Sequence, residues 1–123
     1  MKKLILTVVL AGFFSSVEAN EMYRAPSSGD SGTYFIITSE KGNDGILTVL
    51  SSRIGKRNAY TDFTKLNVNC ETKQYFELGG NSEDGAKKSP SKPLNQWSNS
   101  KWVSLVPGSS KSDLVRYVCN KHK

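Results

Sequence analysis

Lys65-Leu66-Asn67-Val68-Asn69-Cys70 decides the fold of this chain. Its apolar and polar residues alternate strictly, so Leu66, Val68 and Cys70 point one way and Lys65, Asn67 and Asn69 the other, the period of a half-buried strand. A slip of one residue would move all three apolar groups into water, so the register is well specified. Cys70 has one possible partner, Cys119, the only other cysteine in the 123 residues. Around it, Leu114, Val115, Val118 and Cys119 recur at spacings that give a helix one apolar stripe. Ser110-Lys111-Ser112-Asp113 has the S-x-x-D form of a capping box, which places the helix start near Ser110. Cys119 therefore lies on the stripe that faces the sheet carrying Cys70. The expectation is a structural disulfide and an α+β fold: a small antiparallel sheet of about five or six strands, with one C-terminal helix packed on it.

Outward from that stretch, Thr33 to Thr38 is rich in β-branched and aromatic residues and reads as a strand. Lys41-Gly42-Asn43-Asp44-Gly45 is a strong turn signal, with a return strand at Ile46 to Ser51. Gly55-Lys56-Arg57-Asn58 reads as a second, exposed turn. Tyr75 and Glu77 alternate with Phe76 and Leu78 until Gly79-Gly80-Asn81, which reads as a break. Ser82 to Pro93 has lysines, serines and two prolines but almost nothing apolar, and reads as a mobile loop. Trp102 to Val106 reads as a last strand ended by Pro107-Gly108. A tryptophan at a sheet–helix junction is expected in the core, which is where Trp102 is placed; Trp97, among Asn and Ser, reads equally as core or surface.

The N-terminus has the form of an export signal: Lys2 and Lys3, an apolar run from Leu4 to Phe14, and small residues at Val17-Glu18-Ala19. Cleavage after Ala19 would remove 1–19 and leave 20–32 as a flexible, polar leader and 33–123 as a single domain of modest core. The apolar run is short for a bilayer span, which takes about 20 residues, and no cysteine near 16–20 offers a lipid anchor. The expected location is the periplasm, the cell surface or the medium, where paired cysteines are normally oxidised. The chain-entropy model gives such a bridge about 4 kcal/mol.

The full chain carries 17 Lys+Arg against 11 Asp+Glu, a formal charge of +6. Lys56, Arg57, Lys87, Lys88, Lys92, Lys101 and Lys111 fall in or beside turns. If the turns converge they form a cationic patch suited to an acidic glycan, lipopolysaccharide phosphates or an acidic protein; otherwise they are solubilising charges. Nucleic acid fits poorly, given the compartment and the lack of interleaved aromatic and basic residues. Catalysis has little to work with. His122 is a lone histidine next to the end of the chain, Glu83-Asp84 reads as part of a solvated loop, and no nucleophile motif or phosphate-binding loop occurs. Two cysteines and one histidine are too few for a zinc site, and no cofactor is implied.

One set of landmarks carries a resemblance: an alternating strand ending in Asn69-Cys70, the pair Tyr75-Phe76, a glycine-rich break, Trp102 before Val106-Pro107-Gly108-Ser109, and Leu114 and Val118 leading into Cys119. This order resembles the surface-adhesin protein E-like domain of Gram-negative bacteria across roughly 33–119. The resemblance implies a six-stranded antiparallel sheet with a disulfide-held helix, sometimes a homodimer, and binding of host matrix or serum proteins such as vitronectin and laminin. The matching binding region spans Lys65 to Gly80. With the exposed cations, it makes Lys65, Lys73, Tyr75, Lys56, Arg57, Lys87, Lys88 and Lys92 the candidate ligand-binding residues. A non-catalytic binding protein is the expected function. The alternative is a periplasmic inhibitor or immunity-type protein that neutralises a bacterial enzyme or toxin; the positive charge favours an acidic target.

Overall fold

The computed structural model describes residues 20–123; the segment read as an export signal lies outside the described residues. Seven antiparallel strands form one sheet: β1 Glu21–Arg24, β2 Thr33–Lys41, β3 Leu47–Ile54, β4 Tyr60–Asn69, β5 Gln74–Asp84, β6 Asn95–Gln96 and β7 Val103–Ser104, followed by helix α1, Ser110–Lys121. β1 to β6 are neighbours in chain order, and the short β7 pairs with β5 beside Tyr75. The meander follows from its short turns, because antiparallel strands need only a few residues between them.

Leu66 and Val68 are fully buried on one face, as their alternation requires. They meet Leu47, Val49 and Ile36 of the neighbouring strands and Leu114, Val115 and Val118 of α1 in a single apolar cluster. Cys70 and Cys119 are bonded, their Cα atoms 5.7 Å apart, and they sit at the margin of that cluster. The helix cap falls one residue earlier than the capping-box reading. Ser109, in extended conformation, accepts from the Ser112 backbone N–H at 3.1 Å, while its hydroxyl donates to the Val106 carbonyl at 2.7 Å. Ser109 wins because Gly108 has positive φ, which turns the chain just before it.

Other expectations are corrected. The stretch read as a leader, 20–32, contains β1, which pairs with β2. Tyr23 there packs against the rings of Tyr34 and Tyr117, and Glu21 accepts from Lys121 at 2.9 Å and from the Tyr117 hydroxyl at 3.2 Å. Gly79-Gly80-Asn81 does not break β5, which runs on to Asp84. Those glycines make room: a Cβ on Gly79 would meet the Asn95 carbonyl, and one on Gly80 the Phe63 carbonyl and the Trp97 ring.

The face of the sheet away from α1 is covered over half its length. Ser52, Thr61, Phe63 and Glu83 are buried there, cross-strand neighbours in two rows. The segment read as a mobile loop supplies the cover. Thr61 Oγ1 accepts from the Lys87 backbone N–H at 2.9 Å and donates to the Gly85 carbonyl at 2.7 Å. Asn81 donates to the Pro93 carbonyl at 3.4 Å, and Asn20 to the Lys88 carbonyl at 2.9 Å, so the segment is tied to the outermost strand as well. Glu83, read as part of a solvated loop, is the main anchor. Its carboxylate accepts from the Ser91 N–H at 2.8 Å and from the Ser91 hydroxyl at 2.7 Å, with Lys87 Nζ at 3.4 Å. A carboxylate so placed satisfies several donors at once, which lets a polar loop close over a strand face.

Candidate interaction surface

The cations do not converge on one patch. Lys56 and Arg57 occupy the β3–β4 turn, which is joined to the start of the covering loop by the Gly85 N–H to Ala59 carbonyl bond at 2.9 Å. That puts them at the end of the sheet where Lys87, Lys88 and Lys92 follow in the loop. Lys73 lies at the other end of β4, ten residues of strand away, or roughly 30 Å. There it borders a groove together with Arg116 and Lys123. Lys65 stands exposed on the face away from α1. Tyr75 is no free aromatic: it packs against the helix-side core, with Lys111 Nζ 5.7 Å from its ring centre and 3.3 Å from Glu77. Burial raises its phenol pKa, with a lesser push from Glu77.

Exposed apolar groups gather elsewhere, along the edge of β5 that the two-residue strands β6 and β7 pair with. Four large hydrophobic residues are exposed among the described residues, and three of them, Trp97, Trp102 and Val106, lie in one stretch. Trp102, expected in the core, is 41% exposed and packs at a tilt on Phe76, ring centres 5.6 Å apart. Phe76 is the cross-strand partner of Asn67, on the face the helix does not cover, so no core is available to Trp102 there. Trp97 is 43% exposed. Its backbone N–H donates to the Leu78 carbonyl at 3.0 Å, and Gly80 lets the ring lie against the strand. Trp97 thus stands between two clefts. One, of about 580 Å³, is lined by Glu77, Gln96, Asn99, Lys101 and Val103; the other, of about 530 Å³, by Lys65, Leu78, Gly79 and Leu94. Of the predicted ligand-binding residues, only Lys65 reaches this surface.

Two polar clusters went unread in the sequence. Arg53 lies over the rings of Tyr34 and Tyr60, donates to both hydroxyls, and pairs with Asp30 at 3.0 Å. The Tyr34 hydroxyl and the Gly32 N–H also donate to Asp30, and together with Arg53 they hold its carboxyl well below the usual range. The hydroxyl and N–H of Ser91 lower the Glu83 carboxyl, with Lys87 adding to the effect. His122 is not frayed: its Nε2 is 2.9 Å from the Ser39 hydroxyl, and its N–H closes the helix on the Val118 carbonyl at 3.0 Å. No carboxylate is bonded to the other ring nitrogen among the described residues, so the pair lacks the orienting group of a Ser–His nucleophile. The described residues also contain no cluster of three or more His, Cys, Asp or Glu placed to hold a metal ion, and no helix among them is long and apolar enough to cross a membrane. No protein-family model, curated protein or solved structure matches the chain.

Proposed function

We propose that the protein is an exported, non-catalytic binding module of the adhesin type that engages a host matrix or serum protein through the edge of β5. The observation that carries this reading is the exposure of Trp97 and Trp102 in one stretch of chain, with Trp97 between two clefts. Tryptophan is enriched among the residues that dominate protein interfaces, and a sparsely covered sheet edge supplies a rigid platform for it. Lys65 and Lys101 add positive charge at the clefts' rims, which favours an acidic partner surface.

The test is binding of the purified protein, disulfide intact, to immobilised vitronectin and laminin at low and physiological ionic strength. Saturable, salt-sensitive binding is expected, weakened about thirtyfold in Trp97→Ala, the size of one interface hot spot. No binding at low salt, or a Trp97→Ala protein that is folded and binds as the parent does, would overturn the reading. Capture of a bacterial toxin or enzyme instead would favour the neutralising function.

A further inference from the structure

A third concavity, of about 490 Å³, lies against the disulfide. One flank of α1 forms its wall, and its floor is Leu105, Val115 and the Cys70–Cys119 bridge. Lys73, Arg116 and Lys123 stand around it, and no aspartate or glutamate lines it. Arg116 bonds Asp113 at 3.2 Å, but Arg24 draws on the same carboxylate at 3.2 Å. Lys73 and Lys123 have no acidic partner among the described residues. The groove therefore joins an apolar floor to a rim of under-compensated positive charge.

Lys73 is, with Arg57 and Asn58, one of three non-glycine residues of positive φ among the described residues. Its φ is +57°, a left-handed conformation that glycine takes freely and lysine does not. The turn imposes it: Asn69 Oδ1 accepts from the N–H groups of Glu71 and Thr72 at 3.0 and 3.1 Å. The turn thereby holds Lys73 where it lines the groove.

We propose that this groove docks an acidic peptide segment of a partner protein, with one apolar anchor side chain on Leu105, Val115 and the disulfide and flanking carboxylates on Lys73 and Lys123. At about 490 Å³ the groove has room for one large side chain and its adjoining backbone. The cations Lys73, Arg116 and Lys123 around it suit several carboxylates spaced along a peptide better than the single headgroup of a lipid.

The experiment is an amide-shift titration of the isotope-labelled protein, disulfide intact, with the peptide acetyl-Glu-Glu-Leu-Leu-Glu-Glu-amide at low ionic strength. Shifts are expected to concentrate on Lys73, Ser112, Arg116, Asn120 and Lys123. Replacing the peptide's glutamates by lysines, or its leucines by serines, should weaken binding at least tenfold. Lys73→Gly should weaken it at least threefold while raising the unfolding midpoint, a pairing of effects that a purely structural lysine would not give. Shifts centred on 56–57 and 87–92, equal binding of the lysine peptide, or Lys73→Gly binding as the parent does would each overturn the proposal. So would dodecyl phosphate, below its micelle concentration, binding the same amides more tightly than the peptide does. Trp97→Ala should leave the titration unchanged, so this proposal and the one for the β5 edge can fail separately.

Discussion

The two faces of the sheet are closed by different means. On one, α1 lays an apolar stripe over Leu47, Val49, Leu66 and Val68 and is bonded covalently at its margin. On the other, a polar segment is drawn over Phe63 by the Thr61 hydroxyl, the Asn81 amide and the Glu83 carboxylate. The first closure depends mainly on burial, with ion pairs of Glu21, Glu77 and Asp113 around it. The second depends on a few directed bonds, and those to the Glu83 carboxylate hold only while it is ionised. It also fits less completely: Ser52 Oγ and Asn81 Oδ1, in the same cross-strand row as Phe63, are buried without a hydrogen-bond partner.

Breaking the helix side should cost most. Replacing Cys70 and Cys119 together by alanine is expected to lower stability by about 4 kcal/mol, read from denaturant midpoints, since the bridge closes a separation of 49 residues. Phe63→Ala comes next, at about 3 kcal/mol. A loss below about 1 kcal/mol would mean that the loop does not seal this face. Glu83→Gln should act locally: trypsin is expected to cut after Lys88 several times faster, while the unfolding midpoint moves little. Equal cutting rates would remove Glu83 from its anchoring role.

Acid should do reversibly what that substitution does permanently. The Glu83 carboxyl is lowered from its ordinary 4.5, so its stabilising contribution is full above that value and is lost as pH falls through the lower, folded-state value. The Ser91 amide shift should follow this titration with a midpoint below 4.5, while the amides of Val115 and Val118 stay unchanged. The smallest effect is expected from Ser52→Ala. Removing a buried hydroxyl that has no partner should be neutral or stabilise by up to about 1 kcal/mol.

The same contrast explains what could be read in advance. The helix face was legible because burial writes a period into the sequence, two for Leu66-Val68-Cys70 and three to four for Leu114, Val115, Val118 and Cys119. The other face was not. Phe63 shares its face with Lys65, Asn67 and Asn69, so the row reads as solvent-facing, although its first residue is covered. Glu83 meets Ser91 eight residues away, a spacing that belongs to no local motif. β1 has four residues and a bulge, too few for a pattern beside so much Ser, Gly and Pro. At the surface, cations were counted from turns without knowing at which end of the sheet each turn lies. Lys56 and Arg57 therefore parted from Lys73, and Trp102 was assigned to a core that does not extend beneath Phe76.

The disulfide has a mechanical consequence. A pull applied between residue 20 and the end of the chain travels along residues 20–70, crosses the sulfur bridge, and leaves through the last turn of α1. Everything from 71 to 118, including Trp97, Trp102 and the covering loop, hangs on a covalent bypass outside the load path. Under tension β1 to β4 can peel strand by strand, and no force extends the enclosed segment while the bridge holds.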